Sequence, residues 1–332
     1  MQLKDIGEFG LIRRLAKTAI QHDPSLHKGI GDDAAVIALG SKKCLLVTTD
    51  TLRENIHFTL DTTPPFLLGK KALAVNLSDI AAMGGMPRYY VVSLSVPGTT
   101  PFAFVKDLYR GMCSRARLWN VLLVGGDTTG SNCGISITIT VIGTAARNHV
   151  VYRRGARPGD RIYVTGTVGD AALGLALLKQ GVEPQQARQL VLRHRDPDPR
   201  IAAGLMLAHK RIPTSMIDVS DGILADLRHI LEQSGTGARI RSDAIPLSRQ
   251  YLRWVRQLGG DPYRYALCGG EDYELLFTAP PQRHAAIERI AYSLGLTITP
   301  IGEITARRGQ LEVLDRTGKP MHLGRQEGFV HF

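Results

Sequence analysis

Aspartates are the residues of this chain best placed to do chemistry. Gly29-Ile30-Gly31-Asp32-Asp33-Ala34-Ala35 sets two carboxylates after a glycine turn. Asp50 follows the apolar, β-branched run Cys44 to Thr49, Asp127 follows Val121 to Val124 and the pair Gly125-Gly126, and Asp218 lies in the run Ser215 to Val219 that leads through Ser220 to Asp221. Asp79 falls among Ala72, Val75, Ile80, Ala82 and Met83, and a carboxylate in such company needs a partner if it is buried. Residues 1–150 hold nine Asp but only Glu8 and Glu54 as glutamates. Singly, each aspartate suits a cap or a turn. Jointly they suit a cation site, because carboxylates at strand ends would converge on the crevice where open α/β sheets bind ligands. Such a cluster repels itself without cations, and hard oxygen donors select Mg²⁺ or Ca²⁺. Mg²⁺ commonly links a few carboxylates to substrate phosphates, which points to nucleotide chemistry. Gly29, Gly31, Gly125, Gly126, Gly166 and Gly270 stand beside acidic or hydroxyl-bearing positions, where backbone N–H groups could approach a phosphate.

The elements that must hold these groups read as an α/β alternation. The three runs above are expected to be short strands that end in aspartate. Phe66 to Met83, rich in Ala, Leu and Lys, reads as a helix closed by Gly84, Gly85 and Pro87. After Gly222, the residues Ile223, Leu224, Leu227, Ile230 and Leu231 keep helical spacing. Ile135 to Val141 alternates as Ile-Ser-Ile-Thr-Ile-Thr-Val, the pattern of a half-buried strand, and the polar Arg147-Asn148-His149 follows it.

Composition narrows the function classes. The 332 residues, 44% apolar and 21% charged, suffice for two domains with proper cores. No apolar stretch approaches the roughly 18 residues of a membrane span, and the first residues carry Lys4, Asp5, Glu8, Arg13 and Arg14, so neither a span nor a secretory leader is expected. Cys44, Cys113, Cys133 and Cys268 match neither a zinc spacing nor a disulfide framework and read as reduced thiols of a cytoplasmic protein. The net charge of +11 suits anionic small molecules and nucleic acid alike. Against nucleic acid, the chain has no long basic cluster and few aromatics to interleave with one. A P-loop, a G-x-G-x-x-G after a strand, an H-E-x-x-H and a G-x-S-x-G are all absent, and His194-Arg195-Asp196 lacks the other marks of a protein kinase.

The motifs Gly29 to Ala34, Thr48-Thr49-Asp50-Thr51, Asn76 to Gly84, Val124-Gly125-Gly126-Asp127-Thr128, Gly159 to Gly166, Asp218-Val219-Ser220-Asp221-Gly222 and Gly270-Glu271-Asp272-Tyr273-Glu274-Leu275 occur in this order. Together they resemble the thiamine-monophosphate kinase family, from about residue 5 to the C-terminus. Its superfamily includes aminoimidazole ribonucleotide synthetase, selenophosphate synthetase and a hydrogenase-maturation protein. A selenophosphate synthetase would call for a reactive Cys and a glycine-rich lysine segment near the N-terminus, and Met1 to Gly29 supplies neither.

The resemblance implies an α/β (α+β) chain with the two-domain aminoimidazole ribonucleotide synthetase-like fold. Residues 1–147 would form a mixed-sheet, ATP- and Mg²⁺-binding domain that makes a homodimer, and residues 148–332 a second α/β domain. It further implies several Mg²⁺ ions on Asp33, Asp50, Asp79, Asp127, Asp218 and Asp221, with Thr48 and Thr49 assisting. Tyr109, Gly126, Asp127, Arg153 and Ser220 would contact ATP, and His57, Glu271 and Phe329 would contact thiamine monophosphate. The implied reaction moves the γ-phosphoryl of ATP onto that substrate's phosphate. A phosphate monoester has its second pKa at about 6, so the acceptor is already largely an oxyanion and no general base is expected. Asn55 replaces a glycine common in the family before the Ile-His-Phe segment.

Overall fold

The computed structural model describes residues 2–19 and 23–321. After helix α1 (Leu3–Ala16) come β1 (Leu26–Lys28), β2 (Ala35–Leu39), β3 (Lys43–Arg53), helix α2 (Pro65–Ala82), β4 (Met86–Val96), α3 (Phe102–Arg117), β5 (Leu122–Gly130) and β6 (Ser136–Ala146). Their strands form a six-stranded mixed sheet in the order β1-β2-β3-β6-β4-β5, antiparallel except for the β4–β5 pair. The chain continues with β7 (Arg161–Thr165), α4 (Asp170–Lys179), α5 (Arg188–Arg195), α6 (Ile201–His209), β8 (Ser215–Asp218), α7 (Ile223–Ser234), β9 (Gly237–Arg241), α8 (Arg249–Leu258), α9 (Arg264–Cys268), β10 (Leu275–Ala279), α10 (His284–Leu294), β11 (Ile298–Thr305) and β12 (Leu311–Leu314). A second six-stranded sheet, β12-β9-β11-β7-β10-β8, is parallel only at β12–β9. This is the expected α/β fold, and its second sheet proves to be mixed like the first.

Several sequence expectations meet their elements directly. α2 spans nearly the predicted residues, opens with Pro65 in its first turn, where a missing N–H costs nothing, and is followed by Gly84 at φ +69°. α7 buries Ile223, Leu224, Leu227, Ile230 and Leu231 on one stripe. β6 alternates strictly between buried and half-buried residues.

Two strands run further than expected. β3 does not stop at Asp50, because its pairing with β6 continues unbroken from Lys43 opposite Ala146 to Arg53 opposite Ser136. β5 likewise carries Gly125, Gly126 and Asp127 inside it, held by β4 as far as Val96 opposite Gly130. Of the three aspartates, Asp218 alone ends its strand.

α2 lies between the two sheets. Gly69 and Gly111 allow α2 and α3 to cross closely: a Cβ on Gly69 would stand 1.9 Å from the Leu108 carbonyl oxygen, and one on Gly111 1.9 Å from that of Phe66. On another side Gly204 of α6 brings its backbone against Ala81 of α2. One buried cluster therefore runs from Leu46, Leu73 and Ile80 of the first sheet layer through Ile201 and Leu207 to Met216 and Phe277 of the second. Among the described residues no helix is long and apolar enough to cross a membrane.

Candidate active site

The carboxylates gather where α2 meets the second domain. Asp33 sits in the turn before β2, Asp79 in the last turn of α2 and Asp218 at the end of β8, and one carboxylate oxygen of each lies within 4.8 Å of the others. Asp50 joins them through the pleat. Thr48 and Asp50 face α2 from alternate positions of β3, the Thr48 hydroxyl donates to Asp79 Oδ2, and Asp50 shares a hydrogen bond with Asp79.

Each carboxylate is held but not saturated. Arg153 clamps Asp33 Oδ1 through Nε at 3.1 Å and Nη2 at 2.6 Å, while its backbone N–H donates to Asp32 Oδ1 at 3.0 Å. Ser78 Oγ donates to Asp218 Oδ2 at 2.6 Å. Asp33 Oδ2 is buried and meets no donor. Burial first, and mutual repulsion second, raise the pKa values of Asp79 and Asp218, that of Asp218 to about 8. Burial also raises those of Asp33 and Asp50. Asp32 rises to about 6 through burial and its neighbour Asp33. Carboxylates so placed call for a cation, and Arg153 supplies only one charge. An orphaned buried oxygen within a set of hard oxygen donors fits Mg²⁺, which is usually held by few carboxylates with waters and phosphates completing its shell.

Around this centre lies a second layer. The segment after Asp218 is pinned by Asp226, which the sequence reading passed over as part of α7. It is buried and accepts the backbone N–H groups of Asp221 at 3.2 Å and Gly222 at 3.0 Å. The Ser220 carbonyl accepts the Glu271 N–H at 2.8 Å, and Val219 accepts that of Tyr273 at 2.9 Å. A Cβ on Gly270 would lie 2.1 Å from the Ser220 oxygen, so glycine is needed for this close docking. Glu271 itself adopts φ +68°. Its Oε1 meets Lys71 Nζ at 2.6 Å, and its Oε2 lies 2.8 Å from His194 Nδ1. Lys71 was also passed over, although a lysine two residues before Leu73 in an apolar helix was a signal that it has a buried partner.

The remaining expected site residues are placed less centrally. His57 lies between β3 and α2, with Nδ1 accepting the Arg53 N–H at 3.0 Å. Tyr109 packs on the first core from α3, and burial, with Cys113 beside it, raises its pKa. Thr49 is turned to the opposite face of β3, where its Oγ1 reaches the Ile139 carbonyl and the Thr140 hydroxyl. Gly126 and Asp127 lie across the sheet. Asp50 pairs with Ile139, Ile139 with Val92 and Val92 with Gly126, which puts Gly126 three strand spacings, roughly 14 Å, from Asp50. Asp127 pairs with Ser93 and is exposed, as is every residue of β5. One chain thus does not bring Asp127 to the other four carboxylates. Phe329 lies outside the described residues.

The family models for AIR synthase related proteins match this chain twice, the N-terminal domain at residues 31–145 and the C-terminal domain at residues 157–314. A thiamine-monophosphate kinase of Haemophilus influenzae is 38% identical over 98% of both chains, and that of Escherichia coli K12 is 39% identical over 98% of both. Among solved structures, AaThiL complexed with AMPPCP and TMP superposes with a TM-score of 0.86 at 35% identity, covering 100% of this chain and 99% of that one. The thiamine monophosphate kinase of Aquifex aeolicus gives 0.81 at 33% identity, covering 97% of this chain and 99% of that one. Sequence, domain pair and fold agree, and the chain belongs to the thiamine-monophosphate kinase family of the AIR synthase-related proteins.

Proposed function

We propose that the cleft between the two sheets phosphorylates thiamine monophosphate to thiamine diphosphate with ATP, through cations rather than a general base. The observation that carries this reading is the convergence of Asp33, Asp50, Asp79 and Asp218 from both halves of the chain. The similar AaThiL holds an ATP analogue and TMP together in one complex.

The two substrates are anions, and the acceptor phosphate is already largely ionised near neutral pH, so the barrier to lower is their repulsion. Asp33, Asp50, Asp79 and Asp218, joined by Asp221 and assisted by the Thr48 hydroxyl, would hold several Mg²⁺ ions. Bound there, Mg²⁺ supplies charge neutralisation and a template for the phosphates. Arg153, which grips Asp33, and Ser220, two residues after Asp218, are assigned to ATP. His57 and Glu271 are assigned to thiamine monophosphate, with Tyr109 on the nucleotide side. No residue is assigned to take a proton from the acceptor.

Gly126 and Asp127 enter this scheme through a homodimer. β5 is an edge strand with Leu122, Leu123 and Val124 exposed at 58%, 40% and 55%. An uncovered apolar edge favours pairing with a second copy, and the Asp127 that one chain keeps apart would complete its partner's cluster. Residues 1–147 are taken as the dimerising unit and residues 148–332 as the second. The four free cysteines, one of them exposed, support a cytoplasmic setting.

The direct test supplies purified protein with ATP, Mg²⁺ and thiamine monophosphate and looks for thiamine diphosphate and ADP in equal amounts. Formation of ADP without thiamine diphosphate would reject the assigned acceptor.

A further inference from the structure

From the geometry around Glu271 we infer that Lys71 and His194 are positioning residues for the thiamine-bearing end of the substrate, acting through that carboxylate. The inference rests on the assignment of Glu271 to substrate under the reading above.

Lys71 lies in the middle of α2 with 1% of its side chain exposed. A lysine in such a place requires a counter-charge, and Glu271 provides it across the boundary between the two halves. His194, on α5 and equally buried, closes on the other oxygen of the same carboxylate. Burial and the neighbouring Lys71 lower the His194 pKa, so the imidazole faces Glu271 uncharged, and the group as a whole is close to neutral. Burial alone would raise the Glu271 pKa, but the ammonium of Lys71, with the His194 contact, holds it well below the usual range.

Two features separate this arrangement from an ordinary buried ion pair. First, the backbone of Glu271 is left-handed at φ +68°, a conformation that non-glycine side chains seldom adopt and that persists where the surroundings enforce it, commonly at ligand sites. The enforcing contacts are its N–H on the Ser220 carbonyl and the two side-chain partners. Secondly, α2 ties the second half of the chain at two points on one face. Ser78 grips Asp218 and Lys71 grips Glu271, seven residues or about 10 Å apart along the helix. A ligand whose phosphate lies at the carboxylate cluster can therefore reach Glu271 with its other end. Each Glu271 oxygen, having one partner, keeps a lone pair for an amino group or a cationic ring. The same helix thus sets the spacing between the reacting phosphate and the group that recognises the rest of the substrate.

The experiment compares Glu271→Gln, Lys71→Met, Lys71→Arg, His194→Phe and the double variant Lys71→Met/Glu271→Gln. KM and kcat would be measured separately for thiamine monophosphate and ATP, and thiamine monophosphate binding followed by calorimetry in the presence of a non-hydrolysable ATP analogue. The expected result is a rise of about tenfold or more in KM and Kd for thiamine monophosphate in Lys71→Met and His194→Phe, with KM for ATP within about twofold of the parent. Lys71→Arg should restore part of the loss, and the double variant should be no worse than Glu271→Gln alone. Were Glu271→Gln to bind thiamine monophosphate normally, the assignment of Glu271 to substrate would fall. Were Glu271→Gln impaired while the Lys71 and His194 variants bound normally, or were the double variant additive, the positioning role would fall instead. If Lys71→Met does not fold, Lys71→Arg and His194→Phe decide by the same KM comparison.

Discussion

Arg153 and Asp33 join the two halves of the chain, the guanidinium gripping one carboxylate oxygen through Nε and Nη2 while the other oxygen is left buried and without a donor. Arg153 is thus the resident cation on Asp33, with Lys28 3.6 Å from the neighbouring Asp32, in a cluster that holds more carboxylates than cations. This relationship makes the stability of the protein a reporter of cation binding.

Replacing Arg153 with Ala strands Asp33 in a dry site. The loss expected for breaking a buried pair is about 3–5 kcal/mol in the absence of divalent ions. Mg²⁺ should recover part of it, because the ion takes over the charge that Arg153 met. Urea melts of parent and variant with chelator and with Mg²⁺ measure both quantities, and a gap that Mg²⁺ leaves untouched would show that Arg153 and the cation do not share Asp33.

Asp50→Asn and Asp218→Asn should each lower turnover by roughly a hundredfold or more, since each removes a formal charge from the proposed cation site. Both should keep the fold and gain stability in chelator, where the parent's carboxylates repel one another. Circular dichroism and steady-state assays check this pair of outcomes. Retention of most of the parent's turnover by either variant would remove that residue from the cation site.

The pH dependence follows from Asp218, whose pKa in the folded chain is about 8 against an ordinary 3.8. Between these values the folded state holds a proton that the unfolded state has released, so stability falls as pH rises through the window and no further above it. Without divalent ions the melting temperature should therefore decline from about pH 4 toward about pH 8. Mg²⁺, by favouring the ionised form, should flatten or reverse the slope. Thermal melts across the window, with and without Mg²⁺, test the sign.

The place of Asp127 on β5 yields a complementation test. Asp50→Asn and Asp127→Asn should both be inactive alone. In the proposed homodimer, mixing with subunit exchange should recover about a quarter of the parent's activity, since half of the dimers would be mixed and one of their two sites would draw both residues from unaltered positions. If mixing restores nothing while subunit exchange is demonstrated, Asp127 does not act across the dimer.

Much of the architecture could be read from residue order. The spacing of Leu224, Leu227 and Leu231 foretold α7, and Gly84, Gly85 and Pro87 marked the end of α2. The motif aspartates were singled out, and four of them converge. What escaped reading depends on partners distant in sequence. Nothing local tells β3 to continue past Asp50, because β6 holds it there from almost ninety residues away. The alternation that puts Asp50 inward and Thr49 outward is likewise set by which face α2 covers. Lys71 and His194 appear as ordinary members of helices until the fold sets Glu271 between them. Asp226 was legible in principle, as an acidic residue in the first turn of a helix, but its service to the Asp221–Gly222 loop was not.

The close crossings at Gly69 and Gly204 make α2 an interior element for both halves of the molecule. The chain is consequently a poor subject for modular engineering. A truncated first half would expose the Ala81 face that α6 covers, and a second half alone would lose the wall against which Met216 and Phe277 pack. Grafting either half onto a distant relative would demand that the α2 surface be transplanted with it, and inheritance of the two halves as a single unit is the outcome this packing favours.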